Sequence, residues 1–308
     1  MFESIFEDLK RYFRSGNMIS RIIILNALVF VLLIFIKLGL MSTGESYGSN
    51  LQAFTRYISL NESMIFNLKH PWVFVSHAFT HFGFFHVLFN MLMLLWFGRI
   101  VGDLLGDRRI LPIYILGIIA GIIFFWLSAV YISPGTQIAY GASAAVMAII
   151  VASGFTAPDY QMHLILIGPV KIKFIVAVLL ILDLMAVSNL SNTGGSIAHL
   201  GGALAGGLFV VGLRNGYDLS EPINRIIDNI VGLFTPGQNR PVKKRSPLKV
   251  SFKAPKEKRR ANQRTDNSFT QQSSVNRLDE ILDKIKDKGI SSLSNEEKEF
   301  LDNQSKEK

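Results

Sequence analysis

Four polar side chains occur in otherwise apolar stretches of the chain, and they are of the types that perform acyl-transfer chemistry. Ser143 begins one stretch, His199 begins another, and His86 and Asn90 are four residues apart in a third. A serine becomes a nucleophile when a histidine accepts its proton, so Ser143 and His199 are a candidate nucleophile and base. His86 and Asn90 share one helical face and are candidate donors to a developing oxyanion.

The composition predicts that these residues lie in a membrane. Of the 308 residues, 49% are hydrophobic and 23 are Phe, which is too apolar for an ordinary soluble domain of this size. The absence of cysteine excludes disulfides, a thiolate nucleophile and cysteine-based metal sites. Six apolar stretches can span or nearly span a bilayer, namely residues 20–41, 80–98, 110–132, 141–157, 169–188 and 197–213.

Basic residues beside the spans predict their orientation. Cytoplasmic loops carry an excess of Lys and Arg, which places both termini in the cytoplasm. The second, fourth and sixth spans then begin at the outer side, so His86, Ser143 and His199 converge there, together with His81. The basic residues that set this orientation are Lys10, Arg11, Arg14, Arg21, Arg99, Arg108, Arg109, Lys171, Lys173, Arg214 and Arg225.

Small residues predict close contact between the fourth and sixth spans. Gly202 and Gly206 share a helical face with His199, at spacings of three and four residues. The fourth span begins with small residues as well, which lets two helix backbones approach each other. Ser143 can then reach His199. The small residues of the fourth span are Gly141, Ala144, Ala145 and Ala148.

At these residues the sequence resembles the rhomboid family of intramembrane serine proteases. Three motifs carry the resemblance, in the order and topology of the family: His81-Phe-Gly-Phe-Phe-His86-Val-Leu-Phe-Asn90, Gly141-Ala-Ser143 and Ala198-His199-Leu-Gly-Gly202-Ala-Leu-Ala-Gly206. The resemblance covers roughly residues 18–215 and implies an all-α, polytopic bundle of six transmembrane helices.

The resemblance also implies roles for these residues. Ser143 is expected to be the nucleophile and His199 its general base and acid, in a dyad without an acidic partner. His86 and Asn90 are expected to help form the oxyanion site. The implied substrates are transmembrane proteins, cut near the outer face without a cofactor, with the fifth span as a mobile gate. Trp72 is expected in a loop that dips into the membrane.

Two positions depart from the family pattern. Ala144 follows the serine where Gly is usual, and Val73 follows Trp72 where many relatives have Arg. Both departures bear on substrate specificity.

His81 is predicted to be structural, and His77 to lie at the membrane interface. Asp183, the acid that lies well inside an apolar span, is predicted either to bond a neighbouring helix or to lie near the inner interface.

Three other functions remain open. A relative without catalytic activity would bind transmembrane helices for sorting or degradation, but such relatives typically lack the serine or the histidine. The three outer-side histidines could bind zinc, although no His-Glu-x-x-His spacing is present. A transporter is disfavoured because paired broken helices are not evident. Cysteine-free composition and the basic-residue bias favour a bacterial inner membrane, with organellar membranes as the alternative.

Three segments lie outside the predicted bundle. Residues 1–17 are expected to form an amphipathic cytoplasmic segment, and residues 216–274 a basic, disordered linker. Within that linker, residues 240–264 hold eleven Lys and Arg against one Glu, a charge of +10 that favours anionic lipid headgroups, with nucleic acid not expected. Residues 275–308 are expected to form a short helical hairpin, whose second helix begins with a capping box of Ser294 and Glu297.

Overall fold

A computed structural model describes residues 16–132, 137–164, 167–188 and 192–234, and near the C-terminus residues 281, 283–285 and 292–306. Contacts divide the chain into two units, Met1–Asn239 and Arg240–Lys308. Most of the predicted amphipathic segment 1–17 and all of the basic stretch 240–264 lie outside the described residues.

The described part of the chain is mainly helical. In chain order the helices are α1 (Met18–Met41), α2 (Tyr47–Ile58), α3 (Met64–Lys69), α4 (Val73–Ser76), α5 (Phe84–Leu105), α6 (Ile110–Tyr131), α7 (Ser143–Thr156), α8 (Ile172–Ser188), α9 (Thr193–Arg214), α10 (Ser220–Phe234) and α11 (Asn295–Lys306). Short strands form two antiparallel pairs, β1 (Leu60–Asn61) with β2 (Ile138–Ala139) and β3 (Gln161–Leu164) with β4 (Gly168–Lys171).

Six of these helices, α1, α5, α6, α7, α8 and α9, correspond to the six predicted spans. Among the described residues, four helical segments are long and apolar enough to cross a membrane alone: Met18–Met41, Phe84–Leu105, Asp107–Tyr131 and Thr193–Arg214. The predicted all-α, polytopic bundle is confirmed. The largest difference between a predicted span and its helix is at the C-terminal end of α5, which continues past Arg99 and Asp103 to Leu105. These charged residues end the apolar pattern but not the helix.

The helix α7 lies at the centre of the bundle. Every residue from Ala145 to Gly154 is buried, and α7 packs against α5, α6, α8 and α9. With 14 residues it is about 21 Å long, shorter than a hydrocarbon core of about 30 Å. A helix of this length need not reach both membrane surfaces, so its first residue, Ser143, can lie below the outer one.

Glycines bring α9 against α7 at backbone distance, as the small residues predicted. A Cβ built on Gly202 would lie 2.0 Å from the carbonyl oxygen of Ala144, and one on Gly206 would lie 2.1 Å from that of Ala148. Any side chain at either position would force the two helices apart. This contact fixes the separation of the helices that carry Ser143 and His199.

The long connection between α1 and α5, residues 42–83, is bonded to the segment that leads into α7. Strand β1 in this loop pairs with β2, with Leu60 opposite Ala139. The Glu62 N–H donates to the carbonyl oxygen of Gln137 at 3.1 Å. The loop therefore holds the chain just before Ser143. That it dips into the membrane stays a prediction.

The prediction of a disordered linker from residue 216 is wrong for its first part, because Ser220–Phe234 forms helix α10. Its polar side bonds the turn between α5 and α6: Arg108 pairs with Asp228 at 2.8 Å, and the Asn224 amide donates to the Arg108 carbonyl oxygen at 3.2 Å. The polar composition after Gly216 concealed a helical spacing of Ile223, Ile226, Ile227 and Ile230.

The C-terminal unit contains α11 and four further helical residues, 281 and 283–285. The predicted capping box is present. The Glu297 N–H donates to Ser294 Oγ at 3.3 Å, and the Ser294 N–H donates to Glu297 Oε2 at 2.7 Å. An ion pair between Lys284, one of these four residues, and Glu297 of α11 has a length of 2.8 Å. This arrangement is compatible with the predicted hairpin.

Candidate active site

Ser143 and His199 meet as the sequence predicted. The Oγ atom of Ser143 lies 2.7 Å from Nε2 of His199, which is hydrogen-bonding distance. The two residues come from the N-terminal ends of α7 and α9, whose close approach the glycines at 202 and 206 allow. A serine hydroxyl bonded to an imidazole nitrogen has the geometry that nucleophilic catalysis requires.

A carboxylate completes the group, contrary to the expectation of a dyad without an acidic partner. Asp183 Oδ1 lies 2.8 Å from Nδ1 of His199, on the side of the ring opposite Ser143. Of the two positions predicted for Asp183, the bond to a neighbouring helix is the correct one. Asp183 lies five residues before the end of α8 at Ser188, and His199 lies six after the start of α9 at Thr193. In consecutive helices these positions lie at similar depth, which is the signal that sequence reasoning overlooked.

Two cavities reach this group of residues. The outer cavity, of about 410 Å³, is bounded by residues of the outer loops, among them Leu60, His77, Tyr140 and Asn192. The lateral cavity, of about 490 Å³, lies between α5 and α8 and is lined by Phe89, Asn90, Met147, Leu182 and Asp183. His86, Ser143 and His199 line both cavities.

Comparison with known proteins agrees with this arrangement. The Rhomboid domain matches residues 68–216, which include Ser143, His199, His86 and Asn90. The segment 68–216 of the chain belongs to the rhomboid family. It is also 27% identical over 199 residues to RHOMBOID-like protein 12, mitochondrial, of Arabidopsis thaliana, a match that covers 59% of each chain. Our chain thus spans about three fifths of the length of that relative. A family of unknown function, DUF6576, matches residues 270–307.

The two oxyanion candidates of the rhomboid domain lie beside Ser143. His86 lines both cavities with Ser143, and Asn90 lines the lateral cavity. The amide nitrogen of Asn90 donates to the carbonyl oxygen of His86 at 2.8 Å, which uses one of its two hydrogens. Neither side chain bonds Ser143 within the hydrogen bonds of the described residues, so their roles stay predictions.

The turn before Ser143 brings further backbone donors to this site. Gly141 has a φ of +115°, and a Cβ on it would lie 2.8 Å from Cε1 of His86. Glycine is therefore required here by both conformation and space. The first main-chain bond of α7 runs from the Val146 N–H to the Ala142 carbonyl oxygen. The helix itself leaves the N–H groups of Ser143, Ala144 and Ala145 unused.

His81 and His77 hold this turn, which agrees with the structural role predicted for His81. The Ala142 N–H donates to His81 Nε2 at 3.3 Å, and the Gly141 N–H donates to the His77 carbonyl oxygen at 2.7 Å. Burial, together with the nearby imidazole of His86, lowers the pKa of His81 to about 4. A neutral ring is what this bond needs, because a protonated Nε2 cannot accept. The prediction that His77 lies at the membrane interface is not met, since its side chain is buried in the protein.

The two departures from the rhomboid pattern have different surroundings. Ala144 lines the outer cavity next to Ser143, where its methyl group can bear on the substrate. Val73 is fully buried against the core formed by Leu60, Ile122, Phe125 and Ala198. The residue before it, Trp72, is half-exposed and donates its indole N–H to the Tyr57 carbonyl oxygen at 2.7 Å. Val73 therefore contributes to the packing of the loop.

The alternative of a zinc site finds no support in the described residues, where no cluster of three or more His, Asp or Glu side chains could hold a metal ion. The ring nitrogens of His81 and His199 are already engaged with protein groups. The ring of His86 makes no such hydrogen bond within the described part of the chain, and it lines both cavities.

Proposed function

We propose that this rhomboid-family protein is an intramembrane serine protease that cleaves the transmembrane segments of other membrane proteins. The proposal rests on the 2.7 Å contact between Ser143 Oγ and His199 Nε2. Both residues border two cavities that lie between helices of a membrane bundle. Hydroxyl and base are thus adjacent in a space that an extended peptide can enter.

The proposed reaction proceeds through an acyl-enzyme. Ser143 Oγ attacks the carbonyl carbon of the scissile peptide while its proton passes to His199 Nε2. The tetrahedral intermediate collapses as His199 returns that proton to the leaving amine. Water then attacks the ester formed on Ser143 and loses a proton to His199, which returns that proton to Ser143 Oγ as the acid product leaves. No other reactant is required.

The developing negative charge needs donors near Ser143. We assign this role to the backbone N–H of Ser143 and to the side chains of His86 and Asn90. Asn90 keeps one amide hydrogen after bonding the His86 carbonyl oxygen. The ring of His86 faces Gly141, whose lack of a side chain leaves room for it. These donors would stabilise the oxyanion most where the bundle excludes bulk water.

Substrate and water would reach Ser143 by different routes. The lateral cavity is lined by Phe85, Phe89 and Leu182, which are more than half exposed, so it extends to the lipid-facing surface. A transmembrane segment would enter there, with α8 as the gate. The outer cavity, bounded by loop residues, would supply the water that hydrolyses the acyl-enzyme.

The protein is a multi-pass membrane protein, and we propose that both termini are cytoplasmic. The basic residues Arg99, Arg108 and Arg109 would then lie inside, with Ser143 near the outer face. We favour a bacterial inner membrane. The name of the Arabidopsis relative places that protein in mitochondria, so an organellar membrane is the alternative. The basic stretch 240–264 is proposed to contact anionic lipid headgroups.

The decisive experiment compares three variants in membranes or mild detergent. Ser143→Ala and His199→Ala should abolish cleavage of a reporter transmembrane substrate and labelling by a fluorophosphonate probe. Ser153→Ala is the matched control, because Ser153 lies on the same helix and is fully buried. Its hydroxyl donates to the Ile150 carbonyl oxygen within that helix. This variant should retain both activities.

Two results would decide against the protease. Cleavage that persists in Ser143→Ala or His199→Ala would show that these residues are not the catalytic pair. If the unaltered protein bound transmembrane helices but neither cut them nor reacted with the probe, the catalytically inactive relative would be the better description.

A further inference from the structure

We propose that Asp183 is a positioning residue that orients His199 for catalysis and ties the outer half of α8 to the active site. The proposal rests on the protease function proposed above. It goes beyond the dyad that the family resemblance implies, because the third residue comes from the helix proposed as the gate. Its basis is the 2.8 Å contact of Asp183 Oδ1 with His199 Nδ1.

The two contacts of His199 select one tautomer of its ring. To act as a base, Nε2 must carry a lone pair and accept the hydroxyl proton of Ser143. The ring proton is then on Nδ1, where it donates to Asp183 Oδ1. A carboxylate in this position fixes the ring orientation and stabilises the imidazolium that forms when Ser143 attacks. Asp183 therefore acts through His199 and does not touch the substrate bond.

The location of Asp183 argues against an incidental contact. A carboxylate within an apolar helix is expensive and tends to be retained for function. The Asp183 side chain is only 12% exposed, and its second oxygen, Oδ2, is buried without a hydrogen-bond partner among the described residues. A buried carboxylate with one oxygen unpaired costs free energy, so a gain in stability alone does not account for it. Orientation of the catalytic base is a better account of it.

The packing of α8 gives the contact a second consequence. The buried residues of α8 are Ile172 and Val176, near its cytoplasmic end, where Val176 meets Gly154 of α7. Towards the outer end the exposed side chains include Val178, Ile181, Leu182, Leu184 and Met185. In the described structure, Asp183 is the side chain that bonds this outer half to another helix. Outward movement of α8 would therefore remove the carboxylate from His199.

This arrangement couples the position of α8 to catalytic competence. While α8 lies against α9, the Ser143, His199 and Asp183 side chains are aligned. When α8 moves aside to admit a substrate, His199 loses its orienting partner until the helix returns. Cleavage is then favoured only after α8 has closed on the bound segment.

The test compares Asp183→Asn with Val176→Ala in the full-length protein. Asn keeps the shape but removes the charge, so kcat should fall by roughly 10²- to 10⁴-fold with little change in KM. Asp183→Glu should recover part of this loss. Val176→Ala is the control for simple loosening of α8, since it alters the packed end and leaves His199 untouched. It should lower thermal stability more than kcat.

The division of the effect between kcat and KM separates orientation of the base from a structural role. A base that has lost its orienting partner lowers kcat with little change in KM, and Asp183→Glu partly restores kcat. Val176→Ala, which only loosens the packed end of α8, should leave kcat close to that of the unaltered protein.

A spin label tests the tie between the helices. The chain has no cysteine, so Met185→Cys provides a unique attachment site on the exposed outer half of α8. The label should become more mobile when Asp183→Asn is added. Unchanged mobility would overturn the tether.

The remaining outcomes are distinct. Asp183→Asn with an unaltered kcat, or Val176→Ala with the same kinetic changes, would overturn the positioning role alone. Failure of the unaltered protein to react with the fluorophosphonate probe would overturn the proposed protease and, with it, this inference.

Discussion

Ala144 and Gly121 occupy complementary positions on α7 and α6. A Cβ built on Gly121 would lie 2.6 Å from the Cβ of Ala144, closer than two carbon atoms can approach. The methyl group that distinguishes Ala144 from the usual rhomboid glycine is thus accommodated by the missing side chain at Gly121. Because Ala144 directly follows Ser143, this contact also fixes the start of α7 against α6.

Gly121→Ala should destabilise the bundle by about 1–3 kcal/mol, the usual cost of overpacking. The second variant, Gly121→Ala with Ala144→Gly, exchanges the methyl between the two helices and should recover most of that loss. The next nearest atom to the new Cβ, the carbonyl oxygen of Ala198, is 3.5 Å away, which leaves room for it. Thermal unfolding in detergent measures the stability of the single and the double variant. Equal stability of the single and double variants would contradict the complementarity.

A second prediction concerns the contact between α7 and α9. Gly202→Ala should force α9 away from the carbonyl oxygen of Ala144 and so separate His199 from Ser143. A displacement of about 1 Å can cost roughly 10²-fold in rate, so we expect at least that loss in fluorophosphonate labelling. Gly207→Ala is the matched control, because its Cβ would meet Phe155 at an ordinary 3.5 Å.

The Gly207→Ala variant should retain its labelling rate within a small factor. Protein yield and the thermal midpoint must be recorded for both variants, since Gly202→Ala is expected to lower stability as well. If Gly202→Ala reacted at the rate of the unaltered protein, the close approach of α7 and α9 would not be what positions the reacting pair.

Much of the membrane domain could be predicted from the sequence, together with two of the three linked side chains, Ser143 and His199. Apolar runs of sufficient length specify spanning helices, and the small residues at 202 and 206 specify which helices touch. The meeting of Ser143 and His199 follows from these two facts and the orientation of the spans. The motifs were informative because membrane helices tolerate few polar residues.

The role of Asp183 could not be predicted in the same way. Helix α8 is apolar around most of its circumference, so no amphipathic pattern indicates which face meets α9. The sequence indicates how deep in the membrane Asp183 lies, but it does not indicate the direction in which its side chain points about the axis of α8. For α10 the reverse holds: the helical spacing of its isoleucines was present, but the polar composition around it suggested disorder.

Acid should destabilise the protein through its buried histidines. Burial lowers the pKa of both His77 and His81 to about 4, so the unfolded chain takes up their protons first as pH falls below 6.5. Stability is therefore complete above pH 6.5 and declines between 6.5 and about 4, by at most about 1.4 kcal/mol per pH unit for each histidine. Thermal midpoints measured across this range test the expectation.

The matched variant for this prediction is His81→Gln, which removes one of the two titrating groups. It should be less stable than the unaltered protein at neutral pH, because the bond from the Ala142 N–H is altered. Its further loss of stability between pH 6.5 and 4 should be smaller. A thermal midpoint of the unaltered protein that stays constant over this range would exclude the two histidines as the acid-sensitive groups.

The exposed apolar side of α10 leads to the last prediction. Ile226, Ile230 and Leu233 are all at least half exposed and lie on one helical face. Glu221 and Asp228 lie on the opposite face. Asp228 is bound to Arg108 in the turn that follows α5, so the apolar face is left free for the headgroup region of the bilayer. We expect α10 to lie along the cytoplasmic membrane surface.

Single cysteines placed in this cysteine-free chain can test that position. A polarity-sensitive fluorophore on Ile230→Cys should report an apolar environment in liposomes and resist a water-soluble quencher. The same label on Glu221→Cys should remain in water and be quenched, because its side chain lies on the polar face and takes part only in an exposed ion pair with Arg225. Equal quenching at the two positions would mean that the apolar face does not contact lipid.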